Sequence, residues 1–118
     1  MEKFSVSLPL TGEYLTTVRL TTGGLCALAG FDVDAAEDYK VCVTESLLIL
    51  KRNGYTRANI QFTVGEALAC KVLGQEKTGQ VEDNFEDEIS RALLSALIGA
   101  VDFSQDEDGN VQTIGFEG

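Results

Sequence analysis

The chain has 118 residues, a formal net charge of −10, no histidine and 44% hydrophobic residues. This length and composition are typical of one globular domain, here residues 1–118, with a core of its own. The sequence excludes a membrane-spanning helix, since no apolar run reaches roughly 18 residues, and its acidic charge argues against nucleic-acid binding, which needs a basic stripe. Because the first residues also lack the pattern of a signal peptide, we expect a cytoplasmic protein.

The first strand and the first helix are predicted from short patterns. Apolar and polar residues alternate over residues 3–8, which indicates a strand with one buried face. Thr11 can cap a helix that begins near Glu13. Gly23 and Gly24 lie inside this helix, and no Lys-Ser/Thr pair follows them. They therefore predict close helix packing or a kink rather than a phosphate-binding loop.

A second, longer helix follows. Gly30 is typical of the end of the first helix, and Asp34 with Glu37 is a form of capping box that would open the second. The apolar positions of this second helix continue to about Arg52. Gly54 would then close it.

The middle of the chain predicts a hairpin and a third helix. Residues 58–64 and 67–73 form two strands across a tight turn. The polar residues 74–86 are predicted to be a loop. An apolar stripe then indicates a helix over residues 87–99.

A second hairpin ends the chain, with predicted strands at residues 101–103 and 111–116 around an Asp-Gly turn. A calcium loop that began at Ser104 would have Gly115 instead of glutamate at its twelfth position, so we predict a solvated hairpin tip.

The order β-α-α-β-β-α-β-β predicts an α+β two-layer sandwich. Its mixed or antiparallel sheet has about five strands, with three helices on one face.

The cysteines do not indicate a metal site. Cys26, Cys42 and Cys70 are widely spaced, whereas a structural zinc site needs four nitrogen or sulfur ligands, usually in close pairs. We predict buried free thiols. The absence of histidine also excludes catalysis and phosphorylation on imidazole.

Residues 41–53, VCVTESLLILKRN, resemble the helix that carries the N box of the GHKL ATPases, which include gyrase, histidine-kinase and anti-sigma-kinase relatives. In that motif a glutamate activates a nucleophile and an asparagine holds the magnesium of the triphosphate. Here the glutamate is Glu45, the asparagine position is Ile49 and the last polar position is Asn53. Isoleucine cannot ligate magnesium, which takes oxygen ligands, and we expect the Ile49 side chain to be buried instead.

The order of elements is similar to the ATPase fold of bacterial anti-sigma factor serine kinases over nearly the whole chain. The resemblance rests on Glu13-Tyr14, Arg19-Leu20-Thr21, Gly24, Gly30-Phe31 and residues 36–45. It implies a protein partner, such as a sigma factor or its antagonist. Because members of the family often dimerise, it also implies a homodimer.

Three departures from the family concern its ATP site. The Asp-x-Gly-x-Gly loop, whose aspartate binds adenine, is replaced by residues 73–79, which contain no aspartate. The long ATP lid is reduced to about a dozen residues. The Gly-rich turn is replaced by acidic residues, namely Glu82, Asp83, Glu86, Asp87 and Glu88. These carboxylates would repel a triphosphate.

These departures predict a degenerate ATP site with the vestigial positions Glu45, Ile49 and Asn53, and with no nucleotide, cofactor or metal. Glu45 is either a retained general base or, as we favour, a helix residue near Lys51, Arg52 or solvent. The predicted function is a non-catalytic protein-binding module in a bacterial anti-sigma or partner-switching system. The alternatives are an active serine kinase or nucleotide-binding protein, which would use ATP and magnesium, and a structural domain without a regulatory role.

Acidic residues are concentrated in the last third of the chain. Residues 82–118 hold ten acidic residues and one basic residue. This segment is either a solvated surface that aids solubility or a docking surface for a basic partner. In the second case, the partner-binding residues are Glu82, Asp83, Glu86 and Asp87.

Overall fold

The computed structural model describes residues 2–81 and 85–118. Its elements are β1 (Glu2–Pro9), α1 (Gly12–Leu28), α2 (Val33–Arg52), β2 (Asn53–Val64), β3 (Leu68–Val81), α3 (Phe85–Ile98), β4 (Asp102–Gln105) and β5 (Val111–Glu117). This is the predicted order, and it confirms the α+β class. None of the helices in the described ranges is both long and apolar enough to cross a membrane.

The five strands form one antiparallel sheet in the order β1-β2-β3-β5-β4. Side chains alternate along each strand, so one face of the sheet is apolar and buried. Central residues of that face are Ile60, Phe62, Val72 and Ile114. Helix α2 packs against β2, β3 and β5, and both α1 and α3 pack against α2. The three helices therefore form a single layer over the apolar face.

Helix α1 lies close to α2, as its glycines predicted. A Cβ atom at Gly23 would be 2.9 Å from Cε of Lys40 on α2, so a larger residue would displace that side chain. Lys40 is held in place by an ion pair with Glu37 at 2.9 Å. A Cβ at Gly24 would meet open space, so Gly23 alone provides the close contact.

Helix α2 begins earlier than predicted. Asp32 has an extended backbone, and its Oδ1 accepts a hydrogen bond from the backbone N–H of Ala35 at 2.7 Å. Asp32 is therefore the N-cap, and the predicted capping by Asp34 was wrong. Asp34 lies in the first turn instead, where a carboxylate still stabilises the helix dipole.

Strand β3 is longer than predicted, because residues 74–81 pair with β2 instead of forming a loop. Most of these residues are exposed, so the sequence lacks the alternation that marks a half-buried strand. Gly74 allows this pairing. A Cβ there would lie 2.5 Å from Cγ of Tyr55, which packs against the glycine backbone.

Candidate functional site

The three predicted N-box positions lie along one side of α2 and its C-cap residue, Asn53. A spacing of four residues puts Glu45, Ile49 and Asn53 on the same side of the helix. Glu45 is half-buried, whereas Ile49 and Asn53 are buried. The side chains of Glu45 and Asn53 both form hydrogen bonds with α3. The structure therefore brings the three positions together where α2 faces α3.

Ile49 belongs to the hydrophobic core. Its side chain is fully buried, in one apolar cluster with Leu50 and Leu94. The backbone carbonyl of Ile49 accepts a hydrogen bond from Nδ2 of Asn53 at 2.8 Å. The residue thus contributes packing and a backbone acceptor, and its side chain offers no oxygen to a metal.

Asn53 joins three elements through its side-chain amide. Besides the bond to Ile49, Nδ2 donates to Oδ2 of Asp87 at 2.8 Å. Oδ1 accepts from the backbone N–H of Val111, the first residue of β5, at 3.0 Å. Both amide hydrogens are used in this way. Asn53 therefore holds the end of α2 against α3 and β5.

Arg52 and Asp87 form a buried ion pair between α2 and α3. Nε of Arg52 donates to Oδ1 of Asp87 at 2.5 Å, and the two side chains are only 10% and 9% exposed. Burial of an unpaired carboxylate would be costly. Here Arg52 takes one carboxylate oxygen of Asp87 and Asn53 takes the other. Asp87 thus lies inside the protein and not on the exposed acidic surface where the sequence analysis placed it.

Ser90 extends these contacts to Glu45. Its hydroxyl accepts a hydrogen bond from Nη2 of Arg52 at 2.6 Å and donates to Oε2 of Glu45 at 3.2 Å. We call Glu45, Arg52, Asn53, Asp87 and Ser90 the α2–α3 polar network. Within residues 2–81 and 85–118, every buried side-chain nitrogen or oxygen has a hydrogen-bond partner. Glu45 is thus connected to Arg52 through Ser90.

Sequence analysis did not identify this network. Arg52 is 35 residues from Asp87 and 38 residues from Ser90, and no local pattern links them. The available signal was weak: Asp87 and Ser90 are three residues apart, so both lie on one side of a helix. That signal does not say which residue of α2 they meet.

The predicted partner-binding residues have different environments. Glu86 has a side chain that is 72% exposed and lies 3.7 Å from Nη1 of Arg52. Glu82 and Asp83 lie outside the described residues. Because Asp87 is held by Arg52, a docking role for the acidic segment rests on its other members.

A strand occupies the position where the resemblance implied an adenine-binding loop. Residues 73–79 belong to β3, and their register partners on β2 include Asn59, Arg57 and Tyr55. Backbone groups that a loop could turn toward a ligand are here part of an antiparallel pair.

The three cysteines are buried free thiols, as predicted. Burial raises the pKa of Cys42 to about 11 and also raises the pKa values of Cys26 and Cys70. The reactive thiolate form is therefore scarce at neutral pH. In the part of the chain that the structure describes, no three aspartate, glutamate or cysteine side chains are grouped so as to hold a metal ion.

Known relatives match only part of this chain. No protein-family model matches it. Serine-protein kinase RsbW of Listeria monocytogenes is 37% identical over 46 residues, which are 39% of this chain and 29% of that protein. Serine-protein kinase RsbW of Bacillus cereus is 32% identical over 54 residues, which are 46% of this chain and 34% of that protein. The chain is thus similar to bacterial serine-protein kinases over a segment that spans about a third of their length.

Proposed function

We propose that the protein is a non-catalytic protein-binding module of a bacterial anti-sigma or partner-switching system, that it acts in the cytoplasm, and that its ATP site is degenerate. The partial similarity to the serine-protein kinases RsbW supports a relation to anti-sigma factor kinases. The observation that carries the proposal is the complete burial of Ile49 at the position where the resemblance expects a magnesium-binding asparagine.

The N-box positions Ile49 and Asn53 provide no free side-chain oxygen for a magnesium ion. Magnesium takes oxygen ligands in near-octahedral geometry at about 2.0–2.1 Å. The Ile49 side chain has no oxygen, and the amide of Asn53 is held by Asp87 and Val111. Turning that amide toward a metal would leave two buried groups unpaired, at a cost of about 1–3 kcal/mol each.

The charge at the start of α3 opposes a triphosphate. The N-terminus of a helix attracts phosphate through a partial charge of about +0.5 and its unpaired N–H groups. Glu86 and Glu88 lie in the first turn of α3. Each carboxylate about 6 Å from a phosphate charge repels it by about 2–3 kcal/mol at an effective dielectric of 20. Two such carboxylates outweigh the attraction of one helix end.

We expect no binding of ATP or ADP with magnesium. A thermal-shift titration with millimolar nucleotide tests this, since a ligand at 100 times its dissociation constant would add about 2.7 kcal/mol of stability. Magnesium alone and nucleotide without magnesium are the controls. A magnesium-dependent rise in melting temperature with ATP or ADP would contradict the proposal.

An active anti-sigma factor serine kinase is the second candidate function. The relatives' name, serine-protein kinase, favours it, and so does Glu45 at the position of the family's glutamate. This candidate requires magnesium-dependent nucleotide binding, so the same titration separates the two. The third candidate is a purely structural domain. A tagged pull-down of such a domain would recover no specific partner from cell extract.

The proposed partner is a protein, such as a sigma factor or its antagonist. A basic partner would be attracted by the acidic residues Glu82, Asp83 and Glu86, whereas Asp87 is already neutralised by Arg52. We also propose a homodimer, on the resemblance alone, which analytical ultracentrifugation tests. We propose no nucleic-acid or membrane partner.

Replacing Glu82, Asp83 and Glu86 with their amides should slow association with the partner severalfold at low salt. Charge at the rim of an interface acts mainly on the association rate, and the effect should fade near 1 M salt, where the Debye length is about 3 Å. The measurement is surface plasmon resonance against the protein that a tagged pull-down from the native host recovers. A matched control replaces three exposed acids elsewhere, Glu2, Glu13 and Glu66, with glutamine. If both triple variants associate at the same rate, the acidic segment only aids solubility.

A further inference from the structure

Helix α3 has a second apolar stripe on the side that faces away from the core. Its inner side contains Asp87, Ser90 and Leu94, which are all buried. On the opposite side, exposed apolar residues recur with spacings of four, three and four residues. We call these residues the outer stripe: Phe85, Ile89, Ala92 and Ala96. Apolar residues with this spacing form the contact between two helices that pack side by side.

The two large side chains of the outer stripe are not used by the fold. Phe85 is 67% exposed and Ile89 is 49% exposed. They are four residues apart, so they are neighbours on the helix surface. Single exposed apolar residues are common on proteins. Here, however, two large ones are aligned with two alanines along about 16 Å of one helix, which is the shape that an apolar helix face needs for docking.

The four side chains differ in size along the stripe. Ala92 and Ala96 are small, so a second helix can approach the C-terminal half of the stripe closely. Phe85 and Ile89 project further at the N-terminal half. Large apolar side chains of this kind contribute most of the binding energy of an interface. The outer stripe therefore fits a helix with its own apolar face.

The charges beside the outer stripe are negative. A helix turns by about 100° per residue, which places Glu86 on one side of Phe85 and Glu88 on the other. Both glutamates are exposed. Arg91, the basic residue of α3, has its guanidinium 4.3 Å from the centroid of the Phe103 ring on β4. The N-terminal half of the stripe is thus an apolar surface with an acidic rim.

We propose that the outer stripe is the docking site for an amphipathic helix of the partner protein, and that this helix has lysine or arginine beside its apolar residues. The inference rests on the proposed protein-binding function and names the chemistry of the partner. Basic side chains would lie opposite Glu86 and Glu88, whereas an acidic helix would be repelled. The same argument disfavours a second copy of this chain at the stripe, since each copy has a net charge of −10.

The test is fluorescence anisotropy with a labelled synthetic peptide of about 18 residues, long enough to form a helix. The peptide has leucines at spacings of four and three residues, lysines on both sides of the leucines, and alanine elsewhere. We expect saturable binding to the unchanged protein. The double variant Phe85→Gln with Ile89→Gln should bind at least about tenfold more weakly, because it loses both apolar anchors.

Controls separate the stripe from apolar exposure and from charge. Leu20→Gln with Leu28→Gln is the matched protein control, because these side chains on α1 are 74% and 77% exposed, and it should bind the peptide like the unchanged protein. A scrambled peptide keeps the charge but not the aligned leucines. A second peptide has glutamate in place of lysine. We expect neither of these two peptides to bind.

Four results would overturn the proposal: no binding of the basic peptide, equal binding of the scrambled peptide, equal binding by the double variant, or equal loss in the α1 control. Sedimentation gives a fifth, since a dimer that the double variant dissociates would make the stripe a contact between copies. If the double variant is not folded by circular dichroism, Ala92→Arg takes its place; it keeps a good helix former and should block docking by its bulk and charge.

The peptide result and the nucleotide titration fail separately. Binding of ATP with magnesium would overturn the proposed function and leave the peptide result standing. If the peptide does not bind, this inference fails, while a protein partner could still be recovered that binds the double variant as well as the unchanged protein. Such a partner would use another surface, and the proposed function would stand.

Discussion

Replacing Asp87 with alanine is expected to lower the free energy of unfolding by about 3–5 kcal/mol, which is the usual cost of removing one partner of a buried ion pair. The variant leaves the guanidinium of Arg52 buried and without its carboxylate. It also removes an acceptor from the amide of Asn53. Urea unfolding followed by circular dichroism measures the change as a lower midpoint at a similar slope.

Two further variants distinguish the loss of the buried ion pair from the loss of a negative charge as such. Glu86→Ala removes the same charge one residue away, but that side chain is 72% exposed, so we expect a loss of less than about 1 kcal/mol. The double variant Arg52→Met with Asp87→Leu removes both charges, and it should recover most of the stability that Asp87→Ala loses. If Asp87→Ala were as mild as Glu86→Ala, the ion pair would not exist in solution.

Replacing Ile49 with asparagine is expected to cost about 2.5–6 kcal/mol. The substitution loses the burial of a large aliphatic side chain, worth about 1.5–3 kcal/mol. It also places an amide in an apolar cluster, where unpaired polar groups cost about 1–3 kcal/mol. The side chain of Ile49 is fully buried, so both costs apply. Denaturant unfolding measures the sum.

The control at this position is Ile49→Val, which removes one methylene and should cost about 0.5–1.5 kcal/mol. The asparagine variant restores the residue type of the N box. We nevertheless expect no binding of ATP with magnesium, because residues 73–79 remain a strand and Glu86 and Glu88 remain at the start of α3. A neutral effect on stability would mean that the side chain does not pack as described. Acquired nucleotide binding would favour the kinase candidate instead.

The sequence by itself was sufficient for the order of elements and the class of fold. Amphipathic helices and half-buried strands repeat with periods of 3.6 and 2 residues, and such patterns depend only on neighbours in the chain. The N-box positions Glu45, Ile49 and Asn53 were recognisable for the same reason, since they are spaced four residues apart within one short segment of the chain. The burial of Ile49 was also predictable, because an aliphatic residue on the inner stripe of a helix normally joins the core.

The tertiary structure alone decided which acidic residues are buried in ion pairs and how far β3 extends. Seven acidic residues look alike in the sequence at positions 82–88 and 106–107, but Asp87 is buried because Arg52, 35 residues away, lies opposite it. Asp106 is likewise fixed by Lys77, 29 residues away. Residues 75–81 of β3 show no strand pattern in the sequence, because side chains on both faces of the sheet are largely exposed there. In each case the deciding partner is near in space and far in the chain, and a local pattern cannot specify such a partner.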